Sequence, residues 1–332
     1  MCIPPYLYFY TLIRYHIIMK EKILITGAAG QLGKVLTESL LKKYGLDSVI
    51  ASDINITSEF ACNFEVLDAT DKTGLNQIVM KYGITQIYHL AAILSAKGEQ
   101  NPLNTWDINQ KTLFNILECA KDNKLNKVFF PSSIAVYGTS APKINTPQSV
   151  FLDPSTVYGM SKASGELWTQ YYASRYGLDI RSLRYPGIIG YQSLPGGGTT
   201  DYAVGIYHCA VKEETFVCYL NENTMLPMIY MDDAIRATLE LMEAPMENLV
   251  LKSSYNLQGI SFTPKEIVDS IKKYYPAFKV VYKPDFRQEI ANTWPQSLDD
   301  SEAQKDWGWA PRYSLEKMTS EMISQLKCHY EL

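Results

Sequence analysis

A tyrosine and a lysine four residues apart are the first residues of this chain that could act together in a reaction. Tyr158 and Lys162 lie in the stretch TVYGMSK (156–162), directly before a helical pattern. Side chains four positions apart share one face of a helix, so the lysine ammonium can lie beside the phenol. A nearby cation stabilises the phenolate and lowers the pKa of the tyrosine, which makes the phenol a better base. The chain has 24 tyrosines, so the spacing by itself also fits an ordinary helix surface.

A glycine-rich turn near the beginning of the chain offers a site for a phosphate-bearing cofactor. Gly27, Gly30 and Gly33 form a G-x-x-G-x-x-G pattern after the apolar run KILIT (22–26). Glycines here let the chain turn tightly and let a pyrophosphate approach the backbone at the start of a helix. An amphipathic helical pattern over 31–44 follows, so the loop has the strand-before, helix-after context of a dinucleotide site.

An acidic residue at the end of the second predicted strand indicates which dinucleotide binds. Asp53 follows Gly33 by 20 residues, where a carboxylate accepts hydrogen bonds from both ribose hydroxyls and repels a 2′-phosphate. NAD is therefore favoured over NADP, although a solvated strand-end carboxylate would explain an isolated Asp53. Asp68, after the third strand, could reach the adenine or could cap a helix. We expect the cofactor to contact Gly27, Gly30, Gln31, Leu32, Gly33, Asp53, Asp68, Leu90, Ala91, Ala92, Tyr158 and Lys162.

A hydroxyl group at the end of the fifth predicted strand completes a set suited to hydride transfer. Ser133 lies in PSSIAVYG (131–138), and open α/β sheets bind ligands beyond the carboxyl ends of their strands. We predict that Ser133 holds the substrate oxygen, Tyr158 moves its proton, and Lys162 assists the tyrosine and contacts the nicotinamide ribose. Either Ser133 or its neighbour Ser132 could instead cap a turn.

These residues need a framework that brings several strand ends together. Buried apolar runs alternate with helical patterns up to Tyr185, which predicts an α/β fold with a Rossmann-type doubly wound parallel sheet. The pattern is less regular afterwards, as expected of a smaller mixed α/β C-terminal substrate lobe. We therefore predict an NAD-binding domain over 21–185 and a substrate-binding lobe over 186–332, with the helix near Asp232 able to pack back on the first domain.

Composition argues against several other classes of protein. The net charge is −4 and no block of lysines and arginines occurs, so nucleic acid is not an expected partner. The six cysteines form no C-x-x-C pair and the four histidines are dispersed, so neither a disulfide framework nor a metal site is expected. His89 fits the core better than a ligand role.

The first residues of the chain are apolar and aromatic, but prolines and an arginine interrupt them. They fit neither a membrane span nor a secretory signal. We interpret residues 1–20 as a dispensable extension, expect no membrane association, and expect a cytoplasmic protein. For a eukaryotic source, the mitochondrial matrix is the alternative.

Taken together, the glycine loop, Asp53, SSIAVYG (132–138) and YGMSK (158–162) resemble the extended short-chain dehydrogenase/reductase family, which includes NAD-dependent epimerases and dehydratases. The resemblance covers essentially all of 22–327. It implies that the family's catalytic serine, tyrosine and lysine fall on Ser133, Tyr158 and Lys162, and that its structural asparagine falls on Asn109. It also implies a homodimer, in which the helix near 103–123 and the Tyr158 helix form a four-helix bundle.

Other strings point to one branch of that family. LPGGGTTDYA (194–203), YMDDAI (230–235), IANTWPQSLDDS (290–301) and AAILSAKGEQNP (91–102) resemble the short-chain L-threonine 3-dehydrogenases. This similarity implies NAD-dependent oxidation of L-threonine at C3 to 2-amino-3-ketobutyrate, a step of threonine catabolism. The substrate-binding residues that it implies are Ser95, Ser133, Tyr158, Thr199, Thr200 and Trp294. Asp201 is a further candidate, since a carboxylate could pair with the substrate ammonium.

The residues themselves leave two alternatives open. Only Lys212 and Arg236 are basic between Tyr185 and Leu251, which suits a small zwitterion better than a nucleoside diphosphate. A sugar-nucleotide epimerase or dehydratase nevertheless shares the fold, cofactor and catalytic residues, and a non-catalytic NAD-binding module shares the cofactor. Trp294 could simply pack the lobe, and Thr199 or Asp201 could simply cap a helix.

Overall fold

A computed structural model describes residues 21–57 and 60–331, so the predicted extension at 1–20 lies outside the described residues. The strands are β1 (Ile23–Thr26), β2 (Val49–Asp53), β3 (Asn63–Val66), β4 (Gln86–His89), β5 (Lys127–Ser133), β6 (Ile180–Tyr185), β7 (Gly187–Ile189), β8 (Phe216–Cys218), β9 (Leu226–Tyr230), β10 (Tyr255–Asn256), β11 (Ile260–Phe262) and β12 (Val280–Tyr282). The helices are α1 (Gln31–Tyr44), α2 (Lys72–Tyr82), α3 (Ser95–Gly98), α4 (Pro102–Asp122), α5 (Val157–Tyr176), α6 (Tyr202–Val211), α7 (Met231–Glu243), α8 (Pro264–Lys272), α9 (Phe286–Thr293), α10 (Ser301–Trp307) and α11 (Leu315–His329). Within these described ranges, none of the helices has both the length and the apolar character needed to cross a membrane.

The central sheet has seven strands in the order β10-β6-β5-β4-β1-β2-β3, and every neighbouring pair is parallel. Its inner strands are apolar because helices cover both faces: Ile23, Leu24 and Ile25 of β1 are fully buried. The winding direction reverses between β1 and β4, so a crevice opens beyond the carboxyl ends of these two strands. This sheet confirms the predicted Rossmann-type fold and places the ends of β1, β4 and β5 at one edge.

A smaller mixed lobe follows, as predicted. In its three-stranded sheet β9 pairs parallel with β7 and antiparallel with β11, and β8 forms a parallel pair with β12. Helices α6, α8 and α11 pack together beside these strands around buried apolar side chains such as Tyr207, Ile271 and Met322.

The structure corrects one element assignment after Tyr185. The sequence predicts that a short strand over 254–257 belongs to the smaller lobe, but this strand, β10, extends the central sheet by pairing Tyr255 with Leu183 of β6. The tyrosine is buried there, and its hydroxyl donates to Asp306 at 2.6 Å. Helix α7 packs against α1 of the first sheet, so the chain returns to that sheet after entering the lobe. The division at 185/186 stays a prediction.

Several short elements are absent from the sequence prediction. They are β7, β9, β11, α3, α9 and α10. A run such as Leu226–Tyr230 is buried at every position, so it shows no alternation from which a strand could be recognised.

Candidate active site

A cleft of about 350 Å³ opens at the carboxyl edge of the central sheet. The glycine loop, the end of β5, the first turn of α5 and the loop before α6 form its walls. Most predicted site residues line it, namely Gly27, Gly30, Gln31, Leu32, Gly33, Leu90, Ala92, Ser95, Ser133, Tyr158, Lys162, Thr199, Thr200, Asp201 and Trp294. Asp53, Asp68 and Ala91 are not among the lining residues.

The glycine loop has the shape that a pyrophosphate requires. Gly27 has a φ of 76°, and a Cβ there would lie 2.7 Å from the backbone nitrogen of Ala91. A Cβ at Gly33 would lie 2.3 Å from the carbonyl oxygen of Gly27. Gly30 lines the cleft and directly precedes Gln31, the first residue of α1, so the helix begins without a capping side chain. The first backbone N–H groups of α1 can therefore donate hydrogen bonds to an anion bound in the cleft.

Asp53 lies at the end of β2, next to this loop. Its Oδ2 accepts a hydrogen bond from the backbone N–H of Ala29 at 3.0 Å, and its Oδ1 accepts one from Asn55 at 3.3 Å. A carboxylate has about four lone-pair sites, so acceptor capacity remains for ribose hydroxyls. The residues present thus fit a dinucleotide that bears a free 2′-hydroxyl.

Asp68 is exposed, and its Oδ1 accepts a hydrogen bond from Thr70 at 2.8 Å. The helix-capping alternative for it is wrong, because α2 begins at Lys72 and Asp71 caps it by accepting from Thr73. Contact of Asp68 with adenine stays a prediction.

The three predicted catalytic residues come together at the base of the cleft. Thr156 caps α5 by accepting a hydrogen bond from Gly159, which places Tyr158 in the first turn and Lys162 one turn later. The side chains of Ser133 and Tyr158 both line the cleft, and the Ser133 Oγ caps the turn that follows β5 by accepting a hydrogen bond from the Ala135 N–H at 3.2 Å. The Lys162 Nζ lies 5.6 Å from the Tyr158 ring centroid and 4.7 Å from that of Phe130.

Burial dominates the electrostatics of this group. It raises the pKa of Tyr158 to about 12, and the nearby Ser133 side chain partly opposes this rise. It also lowers the pKa of Lys162 to about 7, since the ammonium is removed from water. The predicted activation of Tyr158 by Lys162 thus has to overcome the desolvation of both groups, and it stays a prediction.

His89 is buried near Lys162, as predicted for a core histidine. Its Nδ1 lies 2.9 Å from the Thr26 hydroxyl oxygen. Burial and, secondarily, the charge of Lys162 lower the pKa of His89 to about 3. The imidazole is therefore neutral and joins the ends of β1 and β4.

Asn109 connects three elements around the cleft. From α4, its Oδ1 accepts from the Ile93 N–H at 2.8 Å, while its Nδ2 donates to the Ile93 carbonyl at 3.1 Å. The same Nδ2 donates to the Ser161 hydroxyl of α5 at 3.2 Å. Asn109 thus fixes the segment before Ser95 relative to α5.

The loop before α6 is held by its own aspartate. Asp201 Oδ2 accepts hydrogen bonds from the N–H groups of Gly197 and Gly198, both at 2.8 Å. The side chain of Asp201 therefore does not cap α6, and that alternative is wrong. Burial raises the pKa of this carboxyl, and the backbone hydrogen bonds oppose the shift. The fold of the loop brings the Thr199 hydroxyl to 3.4 Å from that of Ser95.

Two features of the cleft could not be predicted from the sequence. The Gln31 side chain, predicted as a cofactor contact, donates from Nε2 to the carbonyl of Leu194 at 2.8 Å and so joins the glycine loop to the loop before α6. Apolar groups also complete the walls, namely Leu94, Pro131, Ile134, Tyr185, Pro186 and Ile188. Such residues carry no chemical pattern that marks a site.

Trp294 has an unusual environment for a buried tryptophan. Only 4% of its surface is exposed and it lines the cleft. Its indole Nε1 is buried without a hydrogen-bond partner among the described residues. Buried indole N–H groups normally have a partner, so this donor remains available for an acceptor on a ligand.

The fold and the cleft define an NAD-dependent enzyme of the Rossmann type. Residues 23–257 match the sequence model of the NAD dependent epimerase/dehydratase family. The chain therefore belongs to this family, which confirms the family and the NAD cofactor predicted from the sequence.

Individual relatives and solved structures are similar to this chain over nearly its whole length. The chain is 44% identical over 312 residues to an uncharacterized epimerase/dehydratase of Staphylococcus aureus, covering 92% of this chain and 97% of the relative. The structure is similar to the GalE-like L-threonine dehydrogenase of Cupriavidus necator, with a TM-score of 0.91 and 49% identity over 92% of this chain and 100% of that one. It is also similar to the L-threonine dehydrogenase of Phytophthora infestans, with a TM-score of 0.91 and 44% identity over 93% of this chain and 100% of that one.

Proposed function

We propose that this enzyme oxidises the C3 hydroxyl of L-threonine with NAD, giving 2-amino-3-ketobutyrate. The observation that carries the proposal is the Trp294 side chain, which lines the same cleft as Ser133 and Tyr158 and has a buried N–H without a partner among the described residues. A donor at that place suits a substrate that has a carboxylate close to its alcohol. The similarity to L-threonine dehydrogenases of about the same length supports this substrate.

Recognition of the α-amino acid would come from polar groups of both lobes. The Trp294 Nε1 and the hydroxyls of Ser95 and Thr199 can donate to the carboxylate, with Thr200 beside them. The Oδ1 of Asp201 is the candidate partner for the ammonium group, because both loop hydrogen bonds use Oδ2. Among the described residues that line the cleft, Lys162 is the single cation, a poor setting for a second diphosphate.

The chemistry follows from the positions of the catalytic residues. Tyr158, as phenolate, takes the proton from the C3 hydroxyl, and Ser133 holds the same oxygen by a hydrogen bond. Lys162 in its ammonium form stabilises the phenolate by charge, and the buried setting strengthens that attraction. NAD supplies the acceptor for the hydride that leaves C3. The apolar walls limit the access of water to the reacting groups.

We also propose that two copies associate through the outer faces of α4 and α5. These helices pack side by side, and the large apolar side chains exposed on them are Leu103, Trp106, Met160, Leu167, Trp168, Tyr171 and Tyr176. Exposed apolar surface of this extent is typical of an interaction site. A second copy would cover it in the four-helix arrangement that the family resemblance implies.

A substrate comparison tests the proposed reaction. NADH formation is measured with L-threonine, L-serine, 3-hydroxybutyrate and a UDP-sugar at equal concentrations. We expect the highest kcat/KM with L-threonine, because only it combines the carboxylate, the ammonium and a secondary alcohol. Conversion of the UDP-sugar without threonine oxidation would instead identify an epimerase or dehydratase. NAD binding without turnover of any alcohol would identify a non-catalytic module.

A further inference from the structure

The connection between β5 and α5 (residues 138–156) links the catalytic residues to the wall of the substrate cleft. It begins shortly after Ser133 and ends at Thr156, the residue that caps the helix of Tyr158. Both of its ends are thus fixed to the catalytic residues. Its middle lies against residues 292–299, the segment that contains Trp294.

The two segments are joined along their backbones. The Lys143 carbonyl accepts from the N–H groups of Gln296 at 2.7 Å and Ser297 at 3.2 Å. Thr146 donates its N–H to the Ser297 carbonyl and accepts from the Asp299 N–H, both at 3.0 Å. These bonds fix the position of residues 296–299 relative to residues 143–146. They do not involve Trp294 itself.

The Lys143 side chain provides the contact at Trp294. Its Nζ donates to the carbonyl oxygens of Asn292 at 2.8 Å and Trp294 at 3.0 Å. These carbonyls lie at the C-terminal end of α9, where backbone acceptors lack helical partners and a cation is electrostatically favoured. The hydroxyls of Ser155 and Thr293 meet at 2.8 Å nearby, so the connection holds this turn at two points.

We propose that Lys143 is a positioning residue for substrate recognition, which sets the Trp294 indole relative to Ser133 and Tyr158. The proposal rests on the proposed function, because it assigns the Trp294 N–H to the substrate carboxylate. Lys143 is not among the residues that line the cleft. Its role is to hold the carboxylate donor in a preformed position beside the proton-transfer residues, so that substrate binding does not have to order it.

The chain provides a matched control in Lys127. Its Nζ donates to the Met242 carbonyl at 2.8 Å, near the C-terminal end of α7. Lys127 is the first residue of β5, at the opposite end of the strand from Ser133. Lys127→Met therefore removes the same kind of bond far from the cleft, while Lys143→Arg retains a donor at the tested position.

Steady-state kinetics of the full-length enzyme test the proposal. We expect Lys143→Met to raise the KM for L-threonine about tenfold, the equivalent of one weakened hydrogen bond, with little change in kcat or in NAD affinity. Lys143→Arg should restore most of the loss, and Lys127→Met should leave KM unchanged. An unchanged KM in Lys143→Met, or an equal rise in Lys127→Met, would overturn the positioning role.

Hydrogen–deuterium exchange separates this inference from the proposed reaction, since it requires no substrate. Backbone amides of 292–299 should exchange faster in Lys143→Met than in the wild type or in Lys127→Met. If exchange there is unchanged, Lys143 does not anchor the segment and the inference fails. If the wild type does not oxidise L-threonine, the proposed function fails, while the exchange result still decides whether Lys143 anchors Trp294.

Discussion

Replacement of Trp294 by phenylalanine tests whether the indole N–H donates a hydrogen bond to the carboxylate of the substrate. The N–H is buried and has no partner among the described residues, so the change removes no hydrogen bond within the protein. With substrate bound, it removes a bond to a charged acceptor, which contributes about 1.5–3 kcal/mol. We therefore expect the KM for L-threonine to rise about 10- to 150-fold.

A second tryptophan separates this effect from a loss of stability. The Trp309 Nε1 donates to the Gln258 carbonyl at 3.1 Å, and the ring is fully buried. Trp309→Phe leaves that carbonyl unsatisfied, so its free energy of unfolding should fall about 1–3 kcal/mol further than that of Trp294→Phe. Trp307 has a buried Nε1 without a described partner but does not line the cleft. Trp307→Phe should leave KM unchanged.

The assay combines initial rates of NADH formation with urea unfolding of the same four proteins. The expected pattern is a high KM for Trp294→Phe alone and the largest loss of stability for Trp309→Phe. A wild-type KM in Trp294→Phe would refute the assignment of the indole to the substrate. A rise in KM for Trp309→Phe equal to that for Trp294→Phe would show that the effect follows core packing.

Three further predictions concern proton transfer, titration and assembly. Tyr158→Phe should lower kcat about 10²- to 10⁴-fold. Because the pKa of the Tyr158 phenol is raised, kcat/KM of the wild type should rise between pH 7 and 10, and pH-rate profiles should show no such rise for Tyr158→Phe. Burial lowers the pKa of Lys162 from 10.5 to about 7, so between these pH values the unfolded chain holds a proton that the folded chain lacks. The free energy of unfolding of the wild type, measured in urea without NAD, should therefore rise with pH in that window by up to about 1.4 kcal/mol per pH unit relative to Lys162→Met. If the free energies of the two proteins change with pH in parallel, the lowered pKa of Lys162 is contradicted. Leu167→Glu should give a monomer in analytical ultracentrifugation. The control Met80→Glu, at an exposed position of α2, should leave the dimer intact. A dimer mass for Leu167→Glu would exclude the proposed interface.

The sequence predicts the parts of the site that depend on local spacing. Gly27 and Gly33 act through a turn that spans seven residues, and Tyr158 and Lys162 act through one helical turn. Their patterns are therefore visible without knowledge of distant contacts. Ser133 could be predicted because the strand that carries it ends at the ligand-binding edge of the sheet.

Contacts between distant parts of the chain could not be predicted in this way. Gln31 meets Leu194 across 163 residues, and Lys143 meets Trp294 across 151. Each of these bonds joins a side chain to a carbonyl, and every residue type has a carbonyl, so no pattern marks the partner. The two-residue strand at Tyr255 was likewise placed in the wrong sheet, because its pairing with β6 depends on the fold of the preceding 70 residues.

The fate of the hydrogen on C3 tests the central claim most directly. The wild-type enzyme is incubated with NAD and L-threonine deuterated at C3, and the reduced cofactor is analysed by mass spectrometry. Direct oxidation at C3 predicts reduced cofactor one mass unit heavier than that from unlabelled threonine, in amounts equal to the 2-amino-3-ketobutyrate formed. Reduced cofactor without the deuterium, or none at all, would contradict the account.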